Sequence, residues 1–414
     1  MANLINLLYK QFTMTLKAGY PFWLIKDGLP FTFPKLDHDV ETEVAIIGAG
    51  ISGALVRYHL VNAGIDCVTI DARTIGLGST SASTSLLQYE IDVPLYRLTK
   101  MIGREKAERA YRLCSEAIDK LGKIVKDRGV DYFESKKSLY YAAYKKDVKW
   151  LKEEYEAREA AGFKVRYLEA DALKDEFNIE AYGAILSEQA AQTNAYMFTH
   201  CLLQHKHKKG KAEDIFDRTP VTDIKHSKSG VVLTTESGYT IKAKKLVYAT
   251  GYEVVNFIDK KIVDLLSTYA VISEQYNERN FWKDDVLIWN TADPYLYMRT
   301  TPDNRVLVGG RDVNFSDSHK RDKLMKRKTK QLTNDVNKMF PHLDFKPEFA
   351  WTGTFGSTKD GLPYIGPYDK LPNSYFALGF GGNGITFSLI AAEIITDLIQ
   401  GKENKDLELF SFDR

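Results

Sequence analysis

The pattern of apolar and polar positions changes period several times along the chain. Residues 43–47 form a short apolar, β-branched run, as in a strand buried on both faces. Ile51, Ala54, Leu55 and Tyr58 then recur at the spacing of one helix face, and Gly64 stops that helix as a residue just past its end. A second apolar run at 67–70 closes on Asp71. Residues 104–127 and 145–161 have helical spacing with strongly charged outer faces, the mark of solvated helices, and 138–143 reads as a strand between them. Helix is expected over 194–206, with the basic run 205–211 as its solvated end. Alternation predicts antiparallel strands at 220–224, 231–234 and 240–241, and further strands at 265–274, 286–290, 295–300 and 305–310. An amphipathic helix over 384–400, stopped by Gly401, closes the chain. No internal repeat or low-complexity linker is visible, so the domains are expected to interleave.

The first strand, helix and second strand meet at Gly48-Ala49-Gly50-Ile51-Ser52-Gly53, a complete GxGxxG. In such a unit Gly48 allows the tight turn, Gly50 the close approach of a pyrophosphate, and Gly53 close packing of helix on strand. The free N–H groups of the helix start, at Gly50, Ile51 and Ser52, favour phosphate, and Asp71 is placed to accept ribose hydroxyls. This segment by itself leaves NAD and FAD both open. The glycine- and hydroxyl-rich loop 74–85 follows where a plain NAD fold begins its next helix. It reads either as a surface loop or as a loop whose groups bind pyrophosphate and a flavin ring. Ala72, Arg73, Gly78, Ser79, Thr80 and Ser81 are the candidate contacts on the second reading.

Composition narrows the classes. The chain has 414 residues, 44% hydrophobic and 27% charged, which suits two or three folded domains and excludes disorder or coiled coil throughout. A net charge of +2 offers no electrostatic case for nucleic acid or an anionic membrane. Cys67, Cys114 and Cys201 are far apart without a CxxC pair, against a disulfide framework or zinc site. The N-terminus lacks a basic n-region, and no apolar run reaches about 18 residues, so a cytoplasmic protein without a membrane span is expected. Asn314-Phe315-Ser316 fits the glycosylation pattern, which without a secretion signal is read as coincidence. Tyr, Phe and Trp number 24, 21 and 5, enough to furnish a flat ligand pocket as well as a core.

The stretch from Val44 to Thr80 resembles the N-terminus of the D-amino-acid oxidase superfamily of FAD-dependent oxidoreductases, which includes glycine oxidase and sarcosine oxidase. Tyr20-Pro21-Phe22-Trp23, followed by Phe33-Pro34-Lys35-Leu36, is similar to the lead-in of its γ-glutamylputrescine oxidase branch. Leu246-Val247-Tyr248-Ala249-Thr250-Gly251 is similar to the strand that returns to the FAD. Asp360-Gly361-Leu362-Pro363 and the cluster Gly379 to Thr386 are similar to the C-terminal flavin-contacting signature. The matches run from residue 20 to about 395 in family order.

The resemblance implies an α/β fold: a Rossmann-like FAD-binding domain (1–95, 181–262, 346–414) interleaved with a substrate domain (96–180, 263–345) built on a large, mostly antiparallel sheet. It implies hydride transfer to a flavin from a carbon bearing nitrogen, with a small amine or amino acid as substrate and oxygen or another acceptor as oxidant. Val221 would lie against the adenine; Thr250, Gly251, Asp360, Gly361, Gly381, Gly382, Asn383, Gly384, Ile385 and Thr386 would serve the cofactor. Members with covalent FAD carry a Cys near the DGLP signature; Gly356-Ser357-Thr358 has none, so FAD is expected to be non-covalent. Glycine oxidase-like members anchor the substrate carboxylate with arginines at positions that are Phe355 and Gly382 here, which disfavours a simple α-amino acid. Arg299 is the replacement candidate, a structural salt bridge being its competing reading. Tyr269 and Tyr297 are candidate pocket aromatics, with sheet packing as the alternative. An NAD-linked dehydrogenase is opposed by the loop and the C-terminal glycines. A non-catalytic flavin-binding protein stays open because the arginines are missing.

Overall fold

A computed structural model describes residues 15–129, 132–205, 214–315, 317–379 and 381–414. The start of the chain, most of the basic run 205–211, Ser316 and Phe380 lie outside the described residues.

Two sheets organise the chain. The smaller runs in the order Tyr364–Pro367, Ser374–Leu378, Thr240–Tyr248, Val40–Ile47, Cys67–Ile70, Ile215–Phe216, and its central pairings are parallel, Val44 opposite Cys67 and Ala45 opposite Leu246. Fully buried strands such as Cys67–Ile70 suit this position because helices cover both faces. Helix Ile51–Asn62 packs there against Gly384–Ile399 and Ala195–Leu203. The sequence separated 240–241 from 246–248, but Thr240–Tyr248 is one strand. Its first residues, Thr240 to Ala243, pair antiparallel with Val231–Thr235, which pairs in turn with Val221–His226, while Ile241 to Tyr248 run parallel beside Val40–Ile47.

The larger sheet runs Lys17–Gly19, Pro347–Ser357, Asp264–Ser273, Val306–Asn314, Leu296–Thr300, Leu287–Asn290, Phe133–Tyr141, Gly183–Thr193, Leu86–Leu87, with Val165–Glu169 beside Gly183–Thr193. Its pairings are antiparallel except that of Leu287–Asn290 with Phe133–Tyr141. The mixed α/β class and the large, mostly antiparallel sheet are therefore as the sequence led us to expect. Lys17–Gly19, Leu86–Leu87, Gly183–Thr193 and Pro347–Ser357, from stretches expected in the nucleotide domain, are hydrogen-bonded into this sheet. Strand partnership is a non-local choice that local periodicity does not encode.

Helix Met325–Met339 was not anticipated, since Lys328, Leu332 and Val336 alone are its buried positions. It covers the face of the large sheet that carries Tyr269, Val271 and Val308. The opposite face looks toward the glycine turn, and the cavity lies between them.

Candidate active site

The nucleotide end of the cavity begins where Val40–Ile47 stops. Gly48 turns at φ +99, and a Cβ there would stand 2.3 Å from the Ala249 carbonyl oxygen. A Cβ on Gly53 would stand 1.8 Å from the Gly48 carbonyl oxygen, so both positions admit glycine alone. Asp71, at the end of Cys67–Ile70, braces the turn: its Oδ2 accepts from the Ala49 N–H at 2.8 Å and its Oδ1 from the Arg73 N–H at 2.8 Å. Burial pushes its carboxyl up to about 6 against those two donors. Arg73 pairs with Glu253 at 2.6 Å. The Ile51 N–H donates to Thr80 Oγ1 at 3.0 Å, tying the glycine turn to the loop that follows the second strand.

That loop is held by its carbonyls. Trp351 Nε1 donates to Ala82 O at 2.8 Å, Trp23 Nε1 to Ser83 O at 2.7 Å, and Arg299 Nη1 to Thr84 O and Ser85 O at 3.0 and 3.1 Å. Four consecutive carbonyls are thus gripped by side chains from three separate parts of the chain. Arg299 also donates to Thr193 O at 2.9 Å and lies 5.4 Å from the centroid of the Trp23 ring.

At the other end, the Gly382 N–H donates to Asp92 Oδ2 at 2.9 Å and the Tyr295 hydroxyl to Asp92 Oδ1 at 3.4 Å. A Cβ on Gly382 would stand 2.8 Å from Asp92 Oδ1 and 3.1 Å from the Tyr295 hydroxyl, so Asp92 and Tyr295 occupy the space beside that glycine. Tyr295 is flanked by Trp289 and Tyr297, with ring centroids 6.2 and 5.8 Å away. Asp312 enters from a β-bulge, where Arg311 and Asp312 together oppose the single residue Thr268. Arg311, at φ +59, turns away to Asp335 at 2.8 Å, and Asp312 is left lining the cavity. Burial pushes Asp312 up to about 7, the Thr268 hydroxyl opposing and the charge of Asp92 adding to the shift. Burial raises Asp92 as well.

The cavity brings together Gly48, Gly50, Ile51, Ser52, Asp71, Ala72, Arg73, Gly78, Ser79 and Thr80 with Val221, Thr250 and Gly251. Gly381, Gly382, Gly384, Ile385 and Tyr297 line its far end, as do Phe355, Gln88 and Glu90. A glycine cradle at a helix start, an acid at the next strand end and a long slot leading to an aromatic wall fit FAD. Gly53 and Ser81 stand behind this lining as packing and turn residues.

Other expected residues do different work. Asp360 is bound by Arg414 at 2.9 Å and by the Leu362 N–H at 3.1 Å, and Gly361 packs on Ile91 and Val93, so the DGLP segment supports the site from outside the lining. Asn383 donates to Gln88 O at 2.8 Å and Thr386 to Asn383 O at 2.8 Å, both securing the start of the last helix. Tyr269 faces away: strand alternation puts Thr268 and Ala270 on the cavity and sends the Tyr269 hydroxyl to Arg321 O at 3.1 Å. Arg299 does not line the cavity, and neither a substrate-facing position nor the alternative salt bridge describes it; its partners are carbonyls.

Sequence reasoning missed Asp92, Tyr295, Trp289 and Asp312. The signal for the first was weak: Gln88, Glu90 and Asp92 alternate with Leu87, Tyr89, Ile91 and Val93, the pattern of any strand with one solvated face. For Asp312 there was none, because a bulge is invisible in a single sequence.

The geometry is that of a dinucleotide-dependent enzyme with the cofactor slot and the substrate end in one cleft between two sheets. The match to a family profile is more specific: residues 43–398 fit the DAO family, described as FAD dependent oxidoreductase, and the chain belongs to that family. Among curated relatives, it is 25% identical over 388 residues to gamma-glutamylputrescine oxidoreductase of Escherichia coli (strain K12), covering 89% of this chain and 86% of that protein. It is 26% identical over 392 residues to glycine oxidase of Bacillus licheniformis, covering 90% and 97%. The crystal structure of glycine oxidase from Geobacillus kaustophilus superposes with a TM-score of 0.75 at 20% identity, covering 91% of this chain and 99% of that one.

Proposed function

We propose that this FAD-dependent oxidoreductase oxidises the C–N bond of an amine that carries no α-carboxylate. The observation that carries this reading is the charge of the substrate end. Among the described residues lining the cavity, Arg73 is the one cationic side chain, and it is paired with Glu253 at the nucleotide end. The far end presents Glu90, Asp92 and Asp312 instead. A carboxylate entering there would meet like charge with no guanidinium to receive it.

Bound FAD supplies a two-electron sink, so a neutral amine that gives up hydride leaves as an iminium, which water hydrolyses. The chain's own residues orient and dry the reacting group. Tyr295, Tyr297, Trp289 and Phe355 wall the cavity against water, and Gly382, fixed by Asp92, sets the entry to the last helix. The cradle residues above hold FAD without a covalent bond. Its oxidant would be oxygen or another acceptor.

The test is an anaerobic panel of plain amines, amino acids and N-substituted amino acids, scored by bleaching of the flavin, followed by readmission of oxygen. Bleaching by plain amines at lower concentration than by α-amino acids is expected. Preferential bleaching by α-amino acids would refute the substrate class, and a flavin no compound reduces would favour a non-catalytic role. Recovery of colour in oxygen distinguishes oxidase from dehydrogenase, acid denaturation should release all the FAD, and fractionation tests the cytoplasmic location.

A further inference from the structure

The carboxylates of the substrate end are poorly matched to the nitrogen that reacts. Hydride leaves a carbon beside a neutral amine, whereas an adjacent carboxylate favours the protonated ammonium. Yet these carboxylates are not saturated by the protein. Asp312 Oδ1 and Glu90 Oε2 are shut off from solvent and accept no hydrogen bond from the described residues, although both side chains line the cavity and Glu90 is only 3% exposed. A buried acceptor left without a donor costs stability unless something else satisfies it.

The surroundings suit a cation. Tyr295 stands between Asp92 and the rings of Trp289 and Tyr297, which gives carboxylates beside a wall of aromatic faces. The bulge that turns Arg311 outward to Asp335 also takes a positive charge away from Asp312. Glu90 Oε1 accepts from Ser187 at 2.8 Å and is partly neutralised by Arg158 at 3.3 Å, so Asp312 and Asp92 are the cavity carboxylates without a paired cation.

We propose that Asp312 and Asp92, with the Trp289–Tyr295–Tyr297 wall, form a subsite for a second, non-reacting ammonium group, making linear aliphatic diamines the preferred substrates. The proposal rests on the amine reading above and adds to it a charge at the far end of the substrate. One nitrogen stays protonated between the carboxylates while the other, deprotonated, presents its carbon for oxidation.

The experiment compares diaminobutane, pentylamine of matched length, and aminopentanoate on the FAD-loaded enzyme. It reads half-saturation in anaerobic bleaching and, separately, the shift in Tm. Diaminobutane should half-saturate at a concentration about ten- to a hundredfold lower than pentylamine, the factor expected of a charged hydrogen bond in a dry site. Aminopentanoate should be the weakest. Asp312→Asn should remove most of the preference, bringing the half-saturation of diaminobutane to within a fewfold of that of pentylamine in the same variant. Equal half-saturation by diaminobutane and pentylamine in the wild-type enzyme overturns the subsite whether or not the variant folds. Asp312→Asn slowing both amines equally also overturns it, because Asp312 would then act as base toward the reacting nitrogen. If diaminobutane raises Tm selectively but no amine bleaches the flavin, the subsite stands and the amine-oxidation reading falls. Bleaching by amines without selectivity does the reverse.

Discussion

Asp71 shows how much one side chain can carry. Its carboxylate holds two backbone N–H groups across the glycine turn and still faces the cavity. Asp71→Ala removes both acceptors, each charged bond contributing about 1.5–3 kcal/mol. FAD retention after gel filtration, read as the flavin-to-protein absorbance ratio, should fall well below that of the wild type; an unchanged ratio contradicts the assignment. The two tyrosines expected in the pocket separate in the same way. Tyr269→Phe loses one hydrogen bond to Arg321 O on the far face of the sheet, about 1 kcal/mol of stability, with kcat and KM unchanged. Tyr297→Phe sits on the cavity, where steady-state kinetics should register it.

At the level of elements, the loop after the second strand is held in place by hydrogen bonds from other elements. Arg299 reaches it from Leu296–Thr300, Trp351 from Pro347–Ser357 and Trp23 from the short helix Phe22–Asp27. Arg299→Met should therefore lower stability by roughly 2–4 kcal/mol and weaken FAD retention, because several buried carbonyls lose their donor. It should change KM for carboxylated and plain amines alike; a selective effect on carboxylated substrates would restore Arg299 to the substrate. Gly53→Ala tests the turn itself. Its methyl would collide with the Gly48 carbonyl, and the forced shift should cost about 1–3 kcal/mol with loss of FAD, visible as a lower Tm and colourless protein.

Across the whole molecule, burial raises the carboxyls of three acids that line the cavity, Asp71, Asp92 and Asp312. Burial raises Asp71 to about 6 and Asp312 to about 7. Between about pH 4 and pH 7 the folded protein keeps protons that the unfolded chain has already released. Stability contributed by these groups is therefore greatest below about pH 4 and falls as pH rises to about 7, by a few kcal/mol in all. Asp312→Asn should flatten that slope in Tm measured against pH, whereas a slope identical to the wild type would show that Asp312 titrates normally. The same proton governs binding: a protonated Asp312 is neutral, so affinity for a diammonium compound should rise as pH passes about 7.

Much of this protein was written locally. The strand–turn–helix–strand unit, the helix Arg104–Asp127 and the closing helix could be read because each depends on neighbours within a few residues, and helix periodicity or a glycine spacing is itself such a short-range pattern. The resemblance spread that reading over most of the chain, and Phe355 and Gly382 marked a departure from it before any geometry was known. Three things were decided only by the tertiary structure: which strands join which sheet, which face of a strand Tyr269 and Tyr297 present, and what Arg299 grips. So was the charge of the substrate end, since Asp92 and Asp312 are 220 positions apart in sequence and meet only because a bulge and a glycine loop bring them to one cavity. Sequence specified the cofactor's cradle, a local object; selectivity is a property of groups gathered from distant segments, and folding alone sets their distances.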